Sequence, residues 1–576
     1  MLRWRLKDAR LIVFAAIIVS VGCQSAGPGP ASSGGQPAPS PGNPASEQVF
    51  RFNLASEPPG LDPQYASWDQ SVSVLQSLFD GLLEFDEDLR PRPSVAREIP
   101  SLDNGGISPD GKTYTFRLRT DYRWTDGQPV TANDFVYAVR RLFDPDKGSQ
   151  YADLYYSIVG AEEYFTARGT RDAPRTVTEA ELQALRDRVG VRAVDDQTLE
   201  IRLKEPRASF LELAALWLLF PIREDVVQRH GDRWTDAANM VSNGPFRMAE
   251  WIPNDHITLV PNPNFPGPEK PRLTRIVLRV ITDMNAEYAA YQNGELDGAR
   301  IPTALTAQAL SDERLRSEVQ RGPRLSTFAY QFNMKRAPFD RREVRQAFSM
   351  AINREAFISQ VRQGIGKPAY SWIPPGMAGH QPDLGKDINR FDPAAARRLL
   401  AEAGYPEGRG LPPITFQFAN TRDNPLRAQF LQGQLRENLG VDISLEPMES
   451  ASFSRFVSAN QHHIANVGWN ADYPDPDNWL PTIFGTGAGN NHTQYSNPQI
   501  DDLMARAMAE PDEGRRLSLW AQAQETIVKD VPMVFLFVDE SFYLFKPYVQ
   551  GIKLTGMDGS ALPSRLFMHR VWIANQ

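Results

Sequence analysis

The chain has 576 residues, of which 41% are hydrophobic and 23% are charged, and its formal net charge is −8. This composition is ordinary for a folded globular protein, and the length is enough for three or four domain-sized units. The excess of acidic residues argues against a nucleic-acid partner, because binding to phosphates requires clustered excess cations.

The N-terminal segment has the organisation of an export signal. Four basic residues lie within the first ten, and residues 11–22 form an apolar run that is too short to cross a bilayer. Cys23, the only cysteine of the chain, follows directly and therefore has no disulfide partner. Small residues before a lone cysteine resemble a bacterial lipobox, although Ser20 stands where leucine is usual. We expect lipidation of Cys23; the alternative is an ordinary signal peptide with an incidental cysteine.

The next segment has the composition of a flexible tether. Residues 24–47 are dominated by Pro, Gly, Ala and Ser, which cannot form a core of their own. We therefore predict a signal peptide at residues 1–22 and a lipid-anchored flexible linker at residues 23–47. The remainder has no second long apolar run and no tandem repeat, which predicts a globular body tethered to a membrane surface.

Strands and helices alternate in the following part of the chain. Apolar residues occupy alternate positions of 113–119, which predicts a half-buried strand. Thr131 with Asp134 three residues later is typical of a helix start, and apolar residues follow at helical spacing up to Phe143. A second alternating strand is predicted at 199–203, so the body is of the α/β class.

Residues 414–468 give the clearest indication of topology. Short strands are predicted at Ile414–Phe418, Val441–Leu445 and Ile464–Gly468. Between the first two, Arg427–Leu439 has leucines in line every four residues, which predicts a helix. A strand, a helix and a strand of these lengths predict a parallel crossover.

The segment Trp469–Trp479 follows the third of these strands. In open α/β sheets, ligands bind beyond the carboxyl ends of the strands. Asp472 lies beside Tyr473 and close to Trp469 in the sequence, and a carboxylate among aromatic rings suits an ammonium group through ion pairing and cation–π attraction. The segment alone is compatible with a site for a cationic group, but equally with a surface turn in which aspartates cap their own backbone.

Sequence patterns of enzymes are mostly missing. There is no Gly-x-Ser-x-Gly elbow, no phosphate-binding loop and no His-Glu-x-x-His pair. The body contains no cysteine, which excludes thiolate metal sites and thiol nucleophiles. A glycosidase-like carboxylate pair stays open, because acidic residues are abundant. We expect no catalytic residue, no metal site and no cofactor.

Nine short segments along the chain form a recognisable series: Glu57–Pro63, Leu78–Leu82, Thr115–Arg119, Trp124–Asp134, Val241–Phe246, Asn293–Asp297, Pro338–Asp340, Val344–Ala347 and Ala403–Pro406. In their residues and their order, these segments resemble the extracellular solute-binding proteins of the oligopeptide/dipeptide class of ABC transporters. One departure is Asp121-Tyr122, where Gly-Val is commoner. The resemblance covers nearly the whole chain after the tether.

The resemblance implies a two-lobed periplasmic-binding-protein-like α/β fold with a hinge and an extra domain inserted in the first lobe. Lobe 1 is expected at 48–80, 205–327 and 541–576. The inserted domain is expected at 81–204 and lobe 2 at 328–540, so that the chain crosses twice between the lobes.

The resemblance also implies a binding site. In peptide-binding members the aspartate of the Trp-x-x-Asp-Tyr segment receives the α-amino group of the ligand, and this position is Asp472 here. Backbone groups around Ala471 are expected to pair with the peptide main chain. The other expected ligand-binding residues are Trp469, Asn470, Tyr473, Ser67, Trp68, Asp69, Tyr151, Tyr330 and Asn333.

The function that the resemblance implies is capture of short peptides outside the cytoplasm and their delivery to a membrane-embedded ABC permease. The protein is expected to be a monomer attached to the membrane by its lipid, either in a periplasmic space or on the outer face of the cell membrane. Two alternatives remain. The same fold could bind a nickel complex, haem, an opine or an oligosaccharide. A secreted hydrolase would need a nucleophile or an acid/base pair, and the sequence identifies neither.

Overall fold

A computed structural model describes residues 47–574, apart from 170–172, 422–423 and 559–560. The predicted signal peptide, Cys23 and nearly all of the predicted linker lie outside the described residues.

The strands have the following bounds in chain order: β1 Val49–Asn53, β2 Leu83–Phe85, β3 Pro91–Pro93, β4 Thr113–Arg117, β5 Val191–Asp195, β6 Thr198–Arg202, β7 Phe246–Ile252, β8 His256–Pro261, β9 Arg275–Arg279, β10 Gly298–Arg300, β11 Val319–Phe332, β12 Lys367–Pro368, β13 Thr415–Ala419, β14 Ser444–Met448, β15 Ile464–Asn470, β16 Met533–Phe545, β17 Val549–Gln550 and β18 Trp572–Ile573.

The helices have these bounds: α1 Asp69–Leu78, α2 Ala132–Leu142, α3 Ala161–Phe165, α4 Glu179–Arg188, α5 Phe210–Leu213, α6 Glu224–His230, α7 Met284–Gln292, α8 Thr306–Ser311, α9 Glu313–Glu318, α10 Arg342–Met350, α11 Arg354–Gln360, α12 Lys386–Asn389, α13 Pro393–Glu402, α14 Asn424–Leu439, α15 Ser450–Ser458, α16 Leu480–Phe484, α17 Pro498–Ala509 and α18 Glu513–Asp530.

Local sequence patterns determine several of these elements as predicted. In β4 the alternating residues Tyr114 and Phe116 are buried, and the strand pairs with β6 in an antiparallel arrangement. Helix α2 begins at a capping box in which the Thr131 amide donates to the Asp134 carboxylate at 2.8 Å. Such reciprocal capping satisfies amide groups that have no partner within the helix.

The predicted parallel crossover is confirmed. Strand β13 pairs in parallel with β14 on one side and with β15 on the other, and α14 connects the first two. Leu431, Leu435 and Leu439 of α14 are buried. The second strand begins at Ser444 rather than at Val441, because the preceding residues pack into the core before pairing starts.

The described residues form five sheets, of which two are the small pairs β2-β3 and β17-β18. A four-stranded sheet has the order β1-β9-β8-β7, and a three-stranded sheet within residues 113–202 has the order β4-β6-β5. The largest sheet has the order β10-β16-β11-β15-β13-β14, with β12 also paired to β16.

The long strands β11 and β16 form the spine of the largest sheet. They pair in an antiparallel arrangement along most of their length, but the register shifts between Pro323 and Thr327. Pro323 lies opposite Glu540 and Thr327 lies opposite Val538, so that residues 324–326 form a bulge against the single residue 539. A bulge of this kind bends a strand and redirects its side chains. Here it faces the candidate site.

Candidate ligand-binding site

A cavity of about 230 Å³ lies beside the bulge of β11, at the end of β15. Six of the residues predicted for the site line it together: Ser67, Asp69, Tyr151, Asn470, Ala471 and Asp472. The sequence did not indicate the other lining residues, which are Val72, Trp217, Arg324, Leu325, Gly556, Met557, Asp558 and Arg565.

The Asp472 carboxylate is held in place by Asn478. The Asp472 backbone amide donates to the Asn478 side-chain oxygen at 3.0 Å, and the Asn478 side-chain nitrogen donates to the Asp472 carboxylate at 2.9 Å. The turn between the two residues contains Pro474 and Pro476, which restrict its backbone. Both contacts fix the direction of the carboxylate without neutralising its charge.

The Asp472 carboxylate has no cationic partner among the described residues. Burial raises the pKa of the Asp472 carboxyl, whereas hydrogen bonds from Asn478 and Tyr151 oppose that rise. The same carboxylate raises the pKa of the Tyr151 hydroxyl, after burial as the larger cause. Among the described residues, no basic side chain forms an ion pair with Asp472. An ammonium group entering the cavity would supply the missing charge.

The aromatic wall of the cavity comes from the first half of the chain. The rings of Tyr151 and Trp217 meet edge to face, with centroids 5.8 Å apart. Trp469 and Tyr473, which were expected to flank the ligand, do not line the cavity. The Trp469 ring nitrogen donates to Asn478 at 3.3 Å, and the buried Tyr473 hydroxyl donates to Asp477.

Asp69 holds the C-terminal segment against the cavity. Its carboxylate accepts hydrogen bonds from the Arg565 guanidinium and from the Ala561 amide, each at 2.8 Å. Ser67 lies next to it on the wall, whereas the side chain of Trp68 is 55% exposed and lies outside the cavity.

Tyr330 and Asn333, which were also predicted, lie outside this cavity. Tyr330 is buried, and its hydroxyl donates to the Arg427 carbonyl at 2.9 Å. The Asn333 side chain donates to the Asn460 carbonyl at 2.8 Å. Both side chains face the packed interior around β11.

One edge of β15 is open near the cavity. Strand β11 pairs with the whole of β15, but β13 pairs with it only at Ile464 and Ala465 among the described residues. The backbone of 466–470 therefore has an edge to which an extended ligand can add. The Ala471 amide is occupied, because it donates to the Leu325 carbonyl at 2.9 Å.

A buried cluster of charges lies behind Asp472. The Arg207 guanidinium contacts the Asp477 carboxylate at 3.3 Å and donates to the Tyr473 hydroxyl at 3.0 Å. Arg516 pairs with Asp475 in the same turn. The turn that carries Asp472 is thus fixed from behind by residues from two other parts of the chain.

Glu212 adds a third carboxyl group to the two arginines of this cluster. One of its oxygens is buried without a hydrogen-bond partner among the described residues. Burial raises the pKa of Glu212 to about 8, the negative charge of Asp475 adds to the rise, and Arg516 opposes it. The two aspartates already balance the two guanidinium groups, so a proton on Glu212 keeps the cluster neutral.

Glu212 should make the protein less stable as pH rises. Because its pKa is higher in the folded protein than its ordinary value of 4.5, the folded state holds the proton more tightly. The stability that the protonated group supports is complete below pH ~4.5 and is lost as pH rises through about 8. We expect denaturation midpoints of the wild type, relative to Glu212→Gln, to fall across this interval. Parallel pH profiles of the two proteins would contradict the assignment.

No helix of the described residues combines the length and the apolar character needed to cross a membrane. The same residues contain no group of three or more His, Cys, Asp or Glu side chains placed to hold a metal ion.

Residues 90–491 match the family described as bacterial extracellular solute-binding proteins, family 5. The dipeptide-binding protein DppE of Bacillus subtilis is 31% identical over 515 residues, which cover 88% of this chain and 90% of that protein. The periplasmic oligopeptide-binding protein OppA of Salmonella typhimurium is 31% identical over 523 residues, which cover 89% and 91%.

Solved structures extend the match to the fold. The unliganded open form of the murein tripeptide-binding protein MppA has a TM-score of 0.77 at 26% identity, covering 92% of this chain and 98% of that one. Haemophilus influenzae OppA in complex with the peptide RPPGFSPFR has a TM-score of 0.69 at 26% identity, covering 92% and 100%. These likenesses confirm the predicted two-lobed α/β fold.

Proposed function

The chain belongs to family 5 of the bacterial extracellular solute-binding proteins, and we propose that it captures short peptides and delivers them to a membrane-embedded ABC permease. The observation that carries this proposal is Asp472, a partly buried carboxylate that has no ion pair within the described part of the chain and lines a cavity beside an open strand edge. Peptides offer what this site lacks, namely an ammonium group and a main chain that can extend a sheet.

Recognition of the peptide begins at its amino terminus. The α-ammonium group pairs with Asp472, next to the Tyr151 hydroxyl and the edge-to-face ring of Trp217. The following main-chain groups pair with the open edge of β15 at 466–470. All peptides share these groups, so anchoring them selects no side chain, and water can adapt the surrounding space to different residues.

Closure of two lobes around the peptide follows from the same proposal. We assign lobe 1 to 48–80, 205–327 and 541–576, the inserted domain to 81–204 and lobe 2 to 328–540. The chain then crosses between the lobes in β11 and in β16, next to the bulge at residues 324–326. A hinge needs only a few residues at element ends or irregularities to absorb the motion.

Peptide binding should therefore change both shape and stability. We expect a saturating dipeptide or tripeptide to reduce the radius of gyration in solution scattering, because the lobes close on the ligand. We also expect the melting temperature to rise with peptide concentration, since the ligand binds the folded state alone. An N-acetylated peptide at the same concentration is the control, and it should do neither. An identical scattering profile with and without peptide would exclude the hinge.

Attachment to the membrane is the second part of the proposal. The basic and apolar segment before Cys23 and the Pro/Gly-rich linker after it support export followed by lipidation. The Cys23→Ala variant should move from the membrane fraction to the soluble fraction, because it has no thiol to which lipid can be attached. Stable anchoring requires several acyl chains. Its melting temperature should match that of the wild type. A wild-type protein whose N-terminal peptide carries no lipid by mass spectrometry would refute this part.

A further inference from the structure

A second cavity, of about 830 Å³, lies beside the buried charge cluster that contains Glu212. Its walls come from three separated parts of the chain, namely residues 90–114, 206–212 and 509–516. The Ala208 amide donates to the Met508 carbonyl at 2.9 Å, which joins the second part to the third. The residues that line this cavity are all different from those that line the cavity of Asp472.

Much of the wall of this second cavity is hydrocarbon. The apolar lining residues are prolines and branched aliphatic residues: Pro91, Pro100, Pro109, Pro206, Pro511, Ile99, Leu102, Ile107 and Leu211. Proline has a fixed φ and no backbone N–H, so a wall rich in proline is stiff and offers few hydrogen-bond donors. The side chain of Leu102 is 53% exposed. An aliphatic ligand would remove this apolar surface from water.

The charges that line the cavity are unbalanced in favour of acids. Arg207 and Arg516 are neutralised, because the first contacts Asp477 at 3.3 Å and the second pairs with Asp475. The other charged lining residues are four acids and one arginine: Asp103, Asp110, Glu212, Glu513 and Arg90. Such a surplus of carboxyl groups favours a cationic ligand and disfavours an anionic one.

Glu212 is the acid that lies deepest in this cavity. It is half-buried, whereas Asp103, Asp110 and Glu513 are exposed and form an acidic rim. One Glu212 oxygen is buried without a hydrogen-bond partner, and no basic side chain of the described residues forms an ion pair with this carboxyl group. Burial raises the pKa of Glu212 to about 8, which favours a proton where a cation is missing. An ammonium group could replace that proton, which would leave for the solvent.

We propose that this cavity binds a linear aliphatic diamine, with one ammonium group on Glu212, the hydrocarbon chain along the proline-rich wall and the second ammonium group at the acidic rim. Each part of the ligand then meets a surface of matching chemistry. A peptide suits the cavity poorly, because its α-carboxylate would face the same surplus of acids. The site is separate from Asp472, and occupancy by a diamine requires no peptide.

Calorimetry with 1,6-diaminohexane tests the site in the Asp472→Ala protein, where the ammonium-binding carboxylate of the other cavity is absent. We expect one diamine to bind, and the added change Glu212→Gln to weaken binding about tenfold or more, since it keeps the shape of the side chain and removes its charge. Glu205→Gln is the matched control, because Glu205 is exposed, lies close by in the chain and does not line the cavity. It should bind within about twofold of the parent. Glu212→Asp, which keeps the charge, should bind more tightly than Glu212→Gln.

A ligand series separates the two ends of the cavity. In the same parent protein, n-hexylamine should bind about tenfold more weakly than the diamine, and hexane-1,6-diol should not bind. Replacing the rim acids by Asp103→Asn with Glu513→Gln should reduce the advantage of the diamine over n-hexylamine to within about threefold. This rim variant decides the matter if Glu212→Gln fails to fold, which its melting curve would show.

Three results would overturn the assignment. The first is equal diamine affinity with and without Glu212→Gln. The second is a diol that binds as tightly as the diamine, since the charges would then contribute nothing. The third is no heat of binding from the diamine at concentrations up to about 10 mM. The proposed function would survive all three, because peptide capture depends on Asp472 and the other cavity.

Discussion

The Asp472→Ala variant is expected to bind peptides roughly 30-fold to several thousand-fold more weakly than the wild type. The ammonium group of the ligand would be enclosed without a counter-charge, and removing one member of a buried charge pair typically costs about 2–5 kcal/mol. Asn478, which now donates to the carboxylate at 2.9 Å, would also lose an acceptor. Titration calorimetry with one dipeptide measures the loss.

A second ligand turns this measurement into a test of the contact itself. Acetylating the amino terminus removes the same pair from the other side, so the two changes should be strongly non-additive. Asp153→Ala is a suitable control, because Asp153 is exposed and influences the pKa of Asp472 only through its distant charge. That variant should bind within a few-fold of the wild type. An equal loss on acetylation in the wild type and in Asp472→Ala would show that another group anchors the amine.

The Asp477→Ala variant should be the least stable of the single variants considered. Asp477 is 2% exposed and accepts hydrogen bonds from Arg207, Ser209 and Tyr473. Its removal leaves the Arg207 guanidinium, 19% exposed, without a counter-charge. Breaking a buried pair in this way costs about 3–5 kcal/mol. The midpoint of unfolding in urea should fall, and peptide affinity should fall with it, because the turn bearing Asp472 loses its support.

The control for this prediction replaces both partners. Arg207→Met combined with Asp477→Leu removes the pair without leaving a buried charge, and such replacements are often neutral in stability. The double variant should therefore recover most of the midpoint lost by Asp477→Ala. A single variant that unfolds at the wild-type midpoint would mean that the cluster is screened by solvent and does not support the turn.

The sequence predicted the parts of this molecule that depend on neighbours along the chain. The periodic leucines of α14 predicted the parallel crossover, and the position of Asp472 after a strand end predicted its place in a cavity. The start of β14 was predicted at Val441, but pairing begins at Ser444. A hydrophobic residue such as Val441 can pack into the core without belonging to a strand, so its presence does not locate the strand's start.

The rest of the site has no local signature. Trp217, Arg324 and Arg565 belong to distant parts of the chain and meet only in the folded structure. Arg207 and Asp477 are a similar case, because each looks like an ordinary surface charge until tertiary packing buries it. Trp469 and Tyr473 are neighbours of Asp472 in the sequence, but their side chains bond to Asn478 and Asp477 and do not line the cavity.

The ion pair between Asp69 and Arg565 has a consequence for the synthesis and folding of the chain. The two residues are 496 positions apart, and the segment that ends at Arg565 supplies one wall of the cavity. A chain that is synthesised from its amino terminus contains Asp69 long before it contains Arg565. The wall of the cavity that includes Arg565 therefore forms only after nearly the whole chain has been synthesised. Contacts of such long range also form late in folding, because their loop-closure entropy must be overcome first.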